Sequence, residues 1–264
     1  MCDNRKDKIK VSAAIVSYNN IDKILVTIAS ILAQTKDVDL TLYISDNNSE
    51  DNTAGIIMEK FPQVTVLKNE KNGGFGFGHN KLLNIIDSKY HVIINPDIIL
   101  KEDSISRLVE IMESDSSVVM ATPRILNEDG TEQFLPKRNP QLKYLLGGRL
   151  EKLGERFKRL RAEYTMRDIS YSSPFEIEFC TGCFFVIRTD VFKKIGGFDD
   201  KFFMYFEDAD ITRRAKQNGR VVFYPQVSVT HLWERASSKK LKYLIIQINS
   251  MMKYFKKWKK EKTK

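Results

Sequence analysis

Three cysteines in 264 residues, Cys2, Cys180 and Cys183, cannot build a disulfide framework. So low and odd a count fits a reducing compartment. Cys180 and Cys183 form a C-x-x-C, yet no second ligand pair stands at the spacing zinc requires. The helix N-terminus that a redox pair would occupy is missing as well. Within EIEFCTGCFFVI the two thiols read as the lining of a buried strand. No apolar run approaches the roughly 18 residues of a membrane span. The opening MCDNRKDKIK is polar and lacks a secretory pattern, so a cytoplasmic location is expected. There is no internal repeat. The folded body also lacks a charge excess. Of 43 basic and 34 acidic residues, ten lysines and one acid lie between Lys239 and Lys264, which leaves 33 of each sign elsewhere. A nucleic-acid-binding domain spreads its basic groups over the fold, so no nucleic-acid partner is expected.

With 42% hydrophobic and 29% charged residues, the chain is a folded domain rather than a disordered one. Its length suffices for one large domain or a domain with an appendage. VSAAIVSY (11–18), DLTLYISD (39–46), VTVLKN (64–69) and HVIIN (91–95) are short apolar runs that read as strands. Between them, IDKILVTIASILAQ (21–34) carries helical spacing, Asn47 to Asp51 opens a helix ending near Phe61-Pro62, and KLLNIIDS is read as a helix after the glycine-rich NGGFGFGHN. A helix from about Ser104 to Ser114 follows. The second half is less regular. VVMATPRIL (118–126) reads as strand, residues 139–172 resist assignment, and FEIEFCTGCFFVIR (175–188) holds one or two strands. DVFKKIGGFDD is a short helix with a glycine stop. A helix runs from about Asp208 to Asn218, and VVFYP and VSVTHLW read as two strands. Alternating strands and helices indicate an α/β fold with a mainly parallel sheet. Ligands of such sheets bind beyond the carboxyl ends of the strands. Here those ends are polar: Ser17-Tyr18-Asn19, Asp46-Asn47-Asn48, Asn69 to Gly74, and Asn95-Pro96-Asp97.

Four features carry possible chemistry. The glycine loop follows the third strand and lacks the G-x-G-x-x-G register, which argues against NAD; it is either a phosphate-approaching loop or a tight turn packed on a helix. Asp97, where an apolar run breaks at a proline, is either a helix cap or a hard oxygen ligand for Mg²⁺ or Mn²⁺. FEDAD places Glu207, Asp208 and Asp210 in a first helical turn, where the dipole favours acids by about 0.3–1 kcal/mol each. The aromatic residues just before them could instead raise an acid's pKa toward that of a general base. His231, one of only three histidines, closes a strand and is a metal ligand or a structural imidazole.

Six stretches in order, AAIVSYNN, ISDNNSED, NEKNGGFGFGHN, VIINPDIIL, IGGFDDKFFMYFEDADITRR and VTHLWERAS, span residues 11 to 237. Together they resemble a family 2 glycosyltransferase of the GT-A fold, in the bacterial rhamnosyltransferase-like group. The resemblance implies a Rossmann-like, mixed but mainly parallel central sheet flanked by helices. It implies inverting transfer of a sugar, foremost L-rhamnose from dTDP-L-rhamnose, to a hydroxyl of a glycan or lipid-linked glycan in cell-surface polysaccharide synthesis. A UDP-hexose or UDP-galactofuranose donor is the alternative. Asn95-Pro96-Asp97 stands where the family has its D-x-D-type motif, with Asn95 replacing the first acid. Asp46 matches the acid that reads the base, with Ser17, Tyr18, Asn19 and Asn48 on the loops beside it. Gly74 and Asn80 fall on the donor side. Asp208, preceded by Glu207, matches the catalytic base, and His231 matches the histidine that completes a Mg²⁺ or Mn²⁺ site with Asp97. Trp233 and Arg235 are candidate diphosphate or acceptor contacts.

These readings divide the chain into a glycosyltransferase domain, 1–238, and a tail, 239–264. The domain's nucleotide-binding half covers about 1–100 and its acceptor and catalytic half about 101–238. Apolar positions 241, 244, 245, 248, 251, 252, 255 and 258 make the tail a basic amphipathic helix. Its first half is expected to dock on the domain. Its far end, with Tyr254, Phe255 and Trp258 among lysines, is expected to rest on the anionic inner face of the cell membrane. A sugar nucleotidyltransferase would instead bring a basic glycine-rich loop near the N-terminus, and a purely membrane-binding module would not need polar strand ends.

Overall fold

The computed structural model describes residues 8–232 and 241–259. Strand β1 (Lys10–Ser17) is buried along nearly its whole length, as a central parallel strand must be. With β2 (Asp39–Asp46), β3 (Thr65–Lys68) and β4 (Tyr90–Ile94) it forms a parallel array in the order β3-β2-β1-β4. Parallel neighbours require crossovers, and these carry α1 (Ile21–Gln34), α2 (Thr53–Lys60) and α3 (Phe75–Asn80). In α1 the apolar spacing turns Ile24, Ile28 and Ile31 inward. The third helix does not lie at KLLNIIDS, where the sequence pattern predicts it. Instead the glycine stretch itself is helical, and residues 81–85 form turns. The cause is packing: a Cβ on Gly78 would sit 2.7 Å from Val16 Cγ1, so α3 can lie against the end of β1 only with glycine there.

Beyond α4 (Ser104–Ser114), capped by Asp103, lie β6 (Val118–Leu126), β7 (Phe175–Glu176), β8 (Phe184–Arg188), α7 (Thr189–Lys194), α8 (Glu207–Ala215) and β9 (Arg220–His231). A two-residue β5 (Ile98–Ile99) pairs with β9. One sheet therefore runs β3-β2-β1-β4-β8-β6-β9-β5, with β7 beside β9 and β8 antiparallel between β4 and β6. Val11, Ala13 and Ile15 face one buried cluster and Ala14 the other, so both faces of the sheet are covered. Each fully buried aliphatic side chain of this kind contributes on the order of 2 kcal/mol.

Two further expectations are corrected. VVFYP and VSVTHLW are one strand, not two. The register jumps from Pro123–Tyr224 to Arg124–Ser228, and the bulge so formed absorbs Pro225 and its missing N–H. Residues 139–172, unassigned in sequence, fold as α5 (Leu142–Arg149), a 3-10 turn (Glu151–Leu153) and α6 (Glu155–Tyr164). Tyr144 and Tyr164 join Phe179, Phe202 and Phe206 in a third cluster, closed by Tyr254 and Trp258 of α9 (Leu241–Lys259).

The tail helix docks in the reverse of the expected sense. Ser250, Tyr254 and Trp258 are buried, while Leu241, Ile245, Ile248 and Met252 are exposed. The large rings at 254 and 258 find an aromatic cluster to fill, whereas the aliphatic first half meets no such surface. Among the described residues no helix is long and apolar enough to cross a membrane.

Candidate active site

Chain direction decides where the chemistry gathers. β1, β2 and β4 are parallel. β8 runs against β4, β6 against β8, and β9 beside β6, so the ends of β4 and β9 emerge at one sheet edge with the start of β8. That edge brings Ser17, Asp46, Asn95-Pro96-Asp97 and His231 to the same side. It also places the 181–183 turn among them: Cys183 O accepts from Asn95 N at 2.8 Å, while Gly182 N donates to Asp208 Oδ2 at 3.2 Å.

The loops after β1 and β2 are tied together. Asn19, with φ of 50°, accepts through Oδ1 from Glu50 N at 2.8 Å, and its own N–H donates to Ser49 Oγ at 3.0 Å. Asp46 is buried and accepts from Ser49 N at 3.0 Å. Ser17 is buried and donates to Asn20 Oδ1 at 2.7 Å. Tyr18 and Asn48 are exposed beside this pair, Asn48 in the left-handed region at φ 64°. Gly74 and Asn80 serve the scaffold. A Cβ on Gly74, which has φ of 94°, would lie 2.0 Å from Phe203 O. Asn80 donates to Phe198 O (2.8 Å) and Asp200 Oδ1 (2.7 Å) and accepts from Phe198 N (2.8 Å), so its amide is fully engaged. Sequence reasoning missed Asn47. It is buried, donates to Gly74 O at 3.0 Å and accepts from Asn69 at 2.9 Å, which locks the glycine segment to the end of β2.

Asp97 and His231 meet. His231 Nε2 lies 3.2 Å from Asp97 Oδ1, a buried oxygen that accepts no hydrogen bond among the described residues. Gln133, also missed in sequence, orients the ring. Its Nε2 donates to Asn127 Oδ1 and His231 O, both at 2.9 Å, which fixes Oε1 as the acceptor 3.0 Å from His231 Nδ1. In the neutral ring the proton therefore sits on Nδ1, and Nε2 turns a lone pair toward Asp97. Two ligands of one Mg²⁺ at right angles, each about 2.0–2.1 Å from it, stand about 3 Å apart. A hard oxygen and an imidazole nitrogen at 3.2 Å fit such an ion. Among the described residues no third His, Cys, Asp or Glu joins them, so phosphate oxygens and water would complete the shell. His79 and His91 lie in the core, held neutral by burial.

The acids of α8 divide by exposure. Glu207 is buried, its Oε2 has no hydrogen-bond partner among the described residues, and burial followed by the charge of Asp208 pushes its pKa well up. Asp208 is half-buried and accepts from Gly182 N and from Ala209 N at 2.9 Å. Burial raises its pKa, opposed by the Lys137 ammonium. A carboxylate whose pKa is raised in this way suits a general base. Lys137, invisible in sequence within an irregular stretch, donates to Thr181 Oγ1 at 3.1 Å, and burial lowers its pKa. Just before α8, Tyr205 and Phe206 both adopt left-handed φ, 69° and 66°. Such backbone costs about 1–3 kcal/mol per residue and clusters at functional sites. Cys180 and Cys183 are buried thiols pushed up by desolvation, Cys183 to about 12, which suits neither metal ligation nor redox exchange. They occupy the turn before β8 rather than the strand itself. Trp233 and Arg235 lie outside the described residues.

A doubly covered α/β sheet with acids and a histidine at its carboxyl edge fits the GT-A glycosyltransferase fold. Solved structures agree. The chain superposes on a mannosyltransferase from Pyrobaculum calidifontis in complex with GDP-Man and Mn²⁺ (TM-score 0.65, 15% identity, 97% of this chain and 65% of that one). It also superposes on GalNAc-T7 with UDP, GalNAc and Mn²⁺ (0.63, 16%, 91% and 48%). The profile of glycosyl transferase family 2 matches residues 12–196, and this chain belongs to that family. A profile described as the N-terminal domain of galactosyltransferase matches residues 161–235. Among curated relatives, the N-acetylglucosaminyl-diphospho-decaprenol L-rhamnosyltransferase of Mycobacterium tuberculosis is 24% identical over 73% of this chain, which spans 66% of that protein. Rhamnosyltransferase WbbL of Escherichia coli is 25% identical over 69% of this chain and 70% of its own.

Proposed function

We propose that this protein transfers a sugar, foremost L-rhamnose from dTDP-L-rhamnose, with inversion to a hydroxyl of a glycan or lipid-linked glycan, at the cytoplasmic face of a bacterial membrane. The observation that carries the reading is the 181–183 turn, which is hydrogen-bonded to Asp208 through Gly182 N and, through Cys183 O, to Asn95, two residues before Asp97. Asp208 takes the proton of the acceptor hydroxyl as that oxygen attacks the anomeric carbon. The bond to the nucleoside diphosphate breaks on the opposite face. A divalent cation, when bound by Asp97 and His231, would neutralise charge growing on the departing diphosphate. The Mn²⁺ in the two superposed structures supports this assignment. The names of the two rhamnosyltransferase relatives support the sugar, and the mycobacterial name supports a lipid-linked acceptor. Asp46, with Tyr18 and Asn48 exposed beside it, would take the base and ribose.

The test is nucleoside-diphosphate release from a panel of nucleotide sugars with Mg²⁺ or Mn²⁺, with and without a lipid-linked acceptor. Preference for dTDP-L-rhamnose is expected; preference for a UDP-sugar would move the donor assignment, and no turnover with any donor would overturn the reading. The exposed row Leu241, Ile245, Ile248 and Met252, beside the basic excess of Lys239 to Lys264, supports contact with an anionic membrane surface. Leu241→Ser with Ile245→Ser should weaken co-sedimentation with anionic vesicles, and equal sedimentation would refute it.

A further inference from the structure

Asp210 lies two residues beyond Asp208, is 0% exposed, and makes every polar contact inward. Its N–H donates to Phe206 O at 2.9 Å, closing the first turn of α8 around Asp208. Its Oδ2 accepts from Arg214 Nε at 2.8 Å within the same helix. Its Oδ1 is held from a distant part of the chain, by Trp258 Nε1 at 3.0 Å and Lys257 Nζ at 2.7 Å. The Arg213 guanidinium lies 4.0 Å over the Trp258 ring.

The same helix grips the strained approach to α8. Ser250 Oγ donates to Met204 O at 2.8 Å, Lys253 Nζ to Lys201 O at 2.6 Å, and Lys257 Nζ to Asp199 Oδ2 at 2.8 Å. The Tyr254 ring packs on Phe206, with centroids 5.5 Å apart. Ser250, Tyr254 and Trp258 share one face, at i, i+4 and i+8. Three turns of α9 thus clasp residues 199–210, including both left-handed aromatic residues.

We infer that the C-terminal half of α9 is a positioning element for the base, with Trp258 and Lys257 acting through Asp210 to fix the turn of α8 that carries Asp208. The inference rests on the reading of Asp208 as the base. The α9 side chains act through Asp210 and residues 199–206, setting where the Asp208 carboxylate stands. The charged and titratable groups facing Asp208 are Glu207 of its own helix, Lys137, Tyr164 of α6, Cys180 and Cys183, and Tyr254 of α9.

Trp258→Phe keeps the ring but removes the indole N–H, and Lys257→Met keeps the stem but removes the charge. Each full-length variant is compared with the native chain for kcat, donor KM, the pH profile of kcat, nucleoside-diphosphate binding and the unfolding midpoint. With donor KM unchanged, kcat should fall on the order of tenfold to a hundredfold, the cost of a base displaced by about 1 Å. The acid limb of kcat should also move to lower pH, because water admitted beside Asp208 relieves the burial that raises its pKa. An unchanged kcat, or a fall with the limb unmoved, overturns the inference. Asp208→Asn, run in parallel, separates the two claims. If it retains turnover, the base assignment fails and this inference with it. If it abolishes turnover while the α9 variants stay normal, only the positioning role fails.

Discussion

Replacing Asp208 by asparagine tests the chemistry with little change of shape. General-base help contributes about 10²–10⁴-fold, so its loss adds about 3–5 kcal/mol to the barrier. The structure also bounds the effect on folding. The carboxylate accepts from Gly182 N and Ala209 N, one at each oxygen. Asparagine offers one acceptor and one NH₂, so one of these N–H groups loses its partner, at about 1–3 kcal/mol. Against that, buried Glu207 loses the like charge that helps push its pKa up. The two effects oppose, and the unfolding midpoint should shift only slightly. The assay is acceptor-dependent nucleoside-diphosphate release at saturating donor, with binding of the nucleoside diphosphate as a check that the site is intact. A deep loss of kcat with donor binding preserved is expected. Turnover of the Asn variant close to that of the native chain refutes the assignment.

Gln133→Ala should free the His231 ring and lower Mn²⁺ affinity about 10–100-fold, the usual effect of removing a group that orients a metal ligand. Calorimetric titration with Mn²⁺ in the presence of nucleoside diphosphate checks this, and unchanged affinity argues against the Asp97–His231 site. Glu207→Gln should raise the unfolding midpoint at pH 8. Between the ordinary glutamate value of about 4.3 and its raised native value, the folded state holds a proton that the unfolded chain has released, so stability falls as pH rises. The variant's advantage should vanish near pH 4; a constant advantage across pH would show that Glu207 does not titrate as its burial requires.

The first half of the fold was legible because each of its strands is a short apolar run closed by a polar end, and α1 carries its own apolar stripe. What escaped notice depends on partners distant in the chain. Tyr144 and Tyr164 are buried in a cluster completed by Phe179, Phe202, Phe206 and, about a hundred residues on, by α9, which no local pattern announces. Pro225 reads as a strand stop because nothing local announces the bulge that accommodates it. Gly78 reads as loop because propensity does not register the side chain of Val16 pressing on it. In the site, Asp97, His231 and Asp208 stood out as polar residues where apolar runs end. Gln133, Lys137 and Asn47 did not, since each acts through another residue and sits in irregular or already polar surroundings. Trp258 drew attention as a membrane ring, whereas its N–H is committed to a buried carboxylate.

The turn before β8 has a consequence for motion. Asn95 is tied to Cys183 O, and Asp208 to the neighbouring Gly182 N. The Asn95-Pro96-Asp97 segment and the first turn of α8 are thus joined through adjacent residues of one backbone segment. A displacement of Asn95-Pro96-Asp97 that keeps both hydrogen bonds must carry the start of α8 with it, so under the proposed function the two sides of the cleft are mechanically coupled.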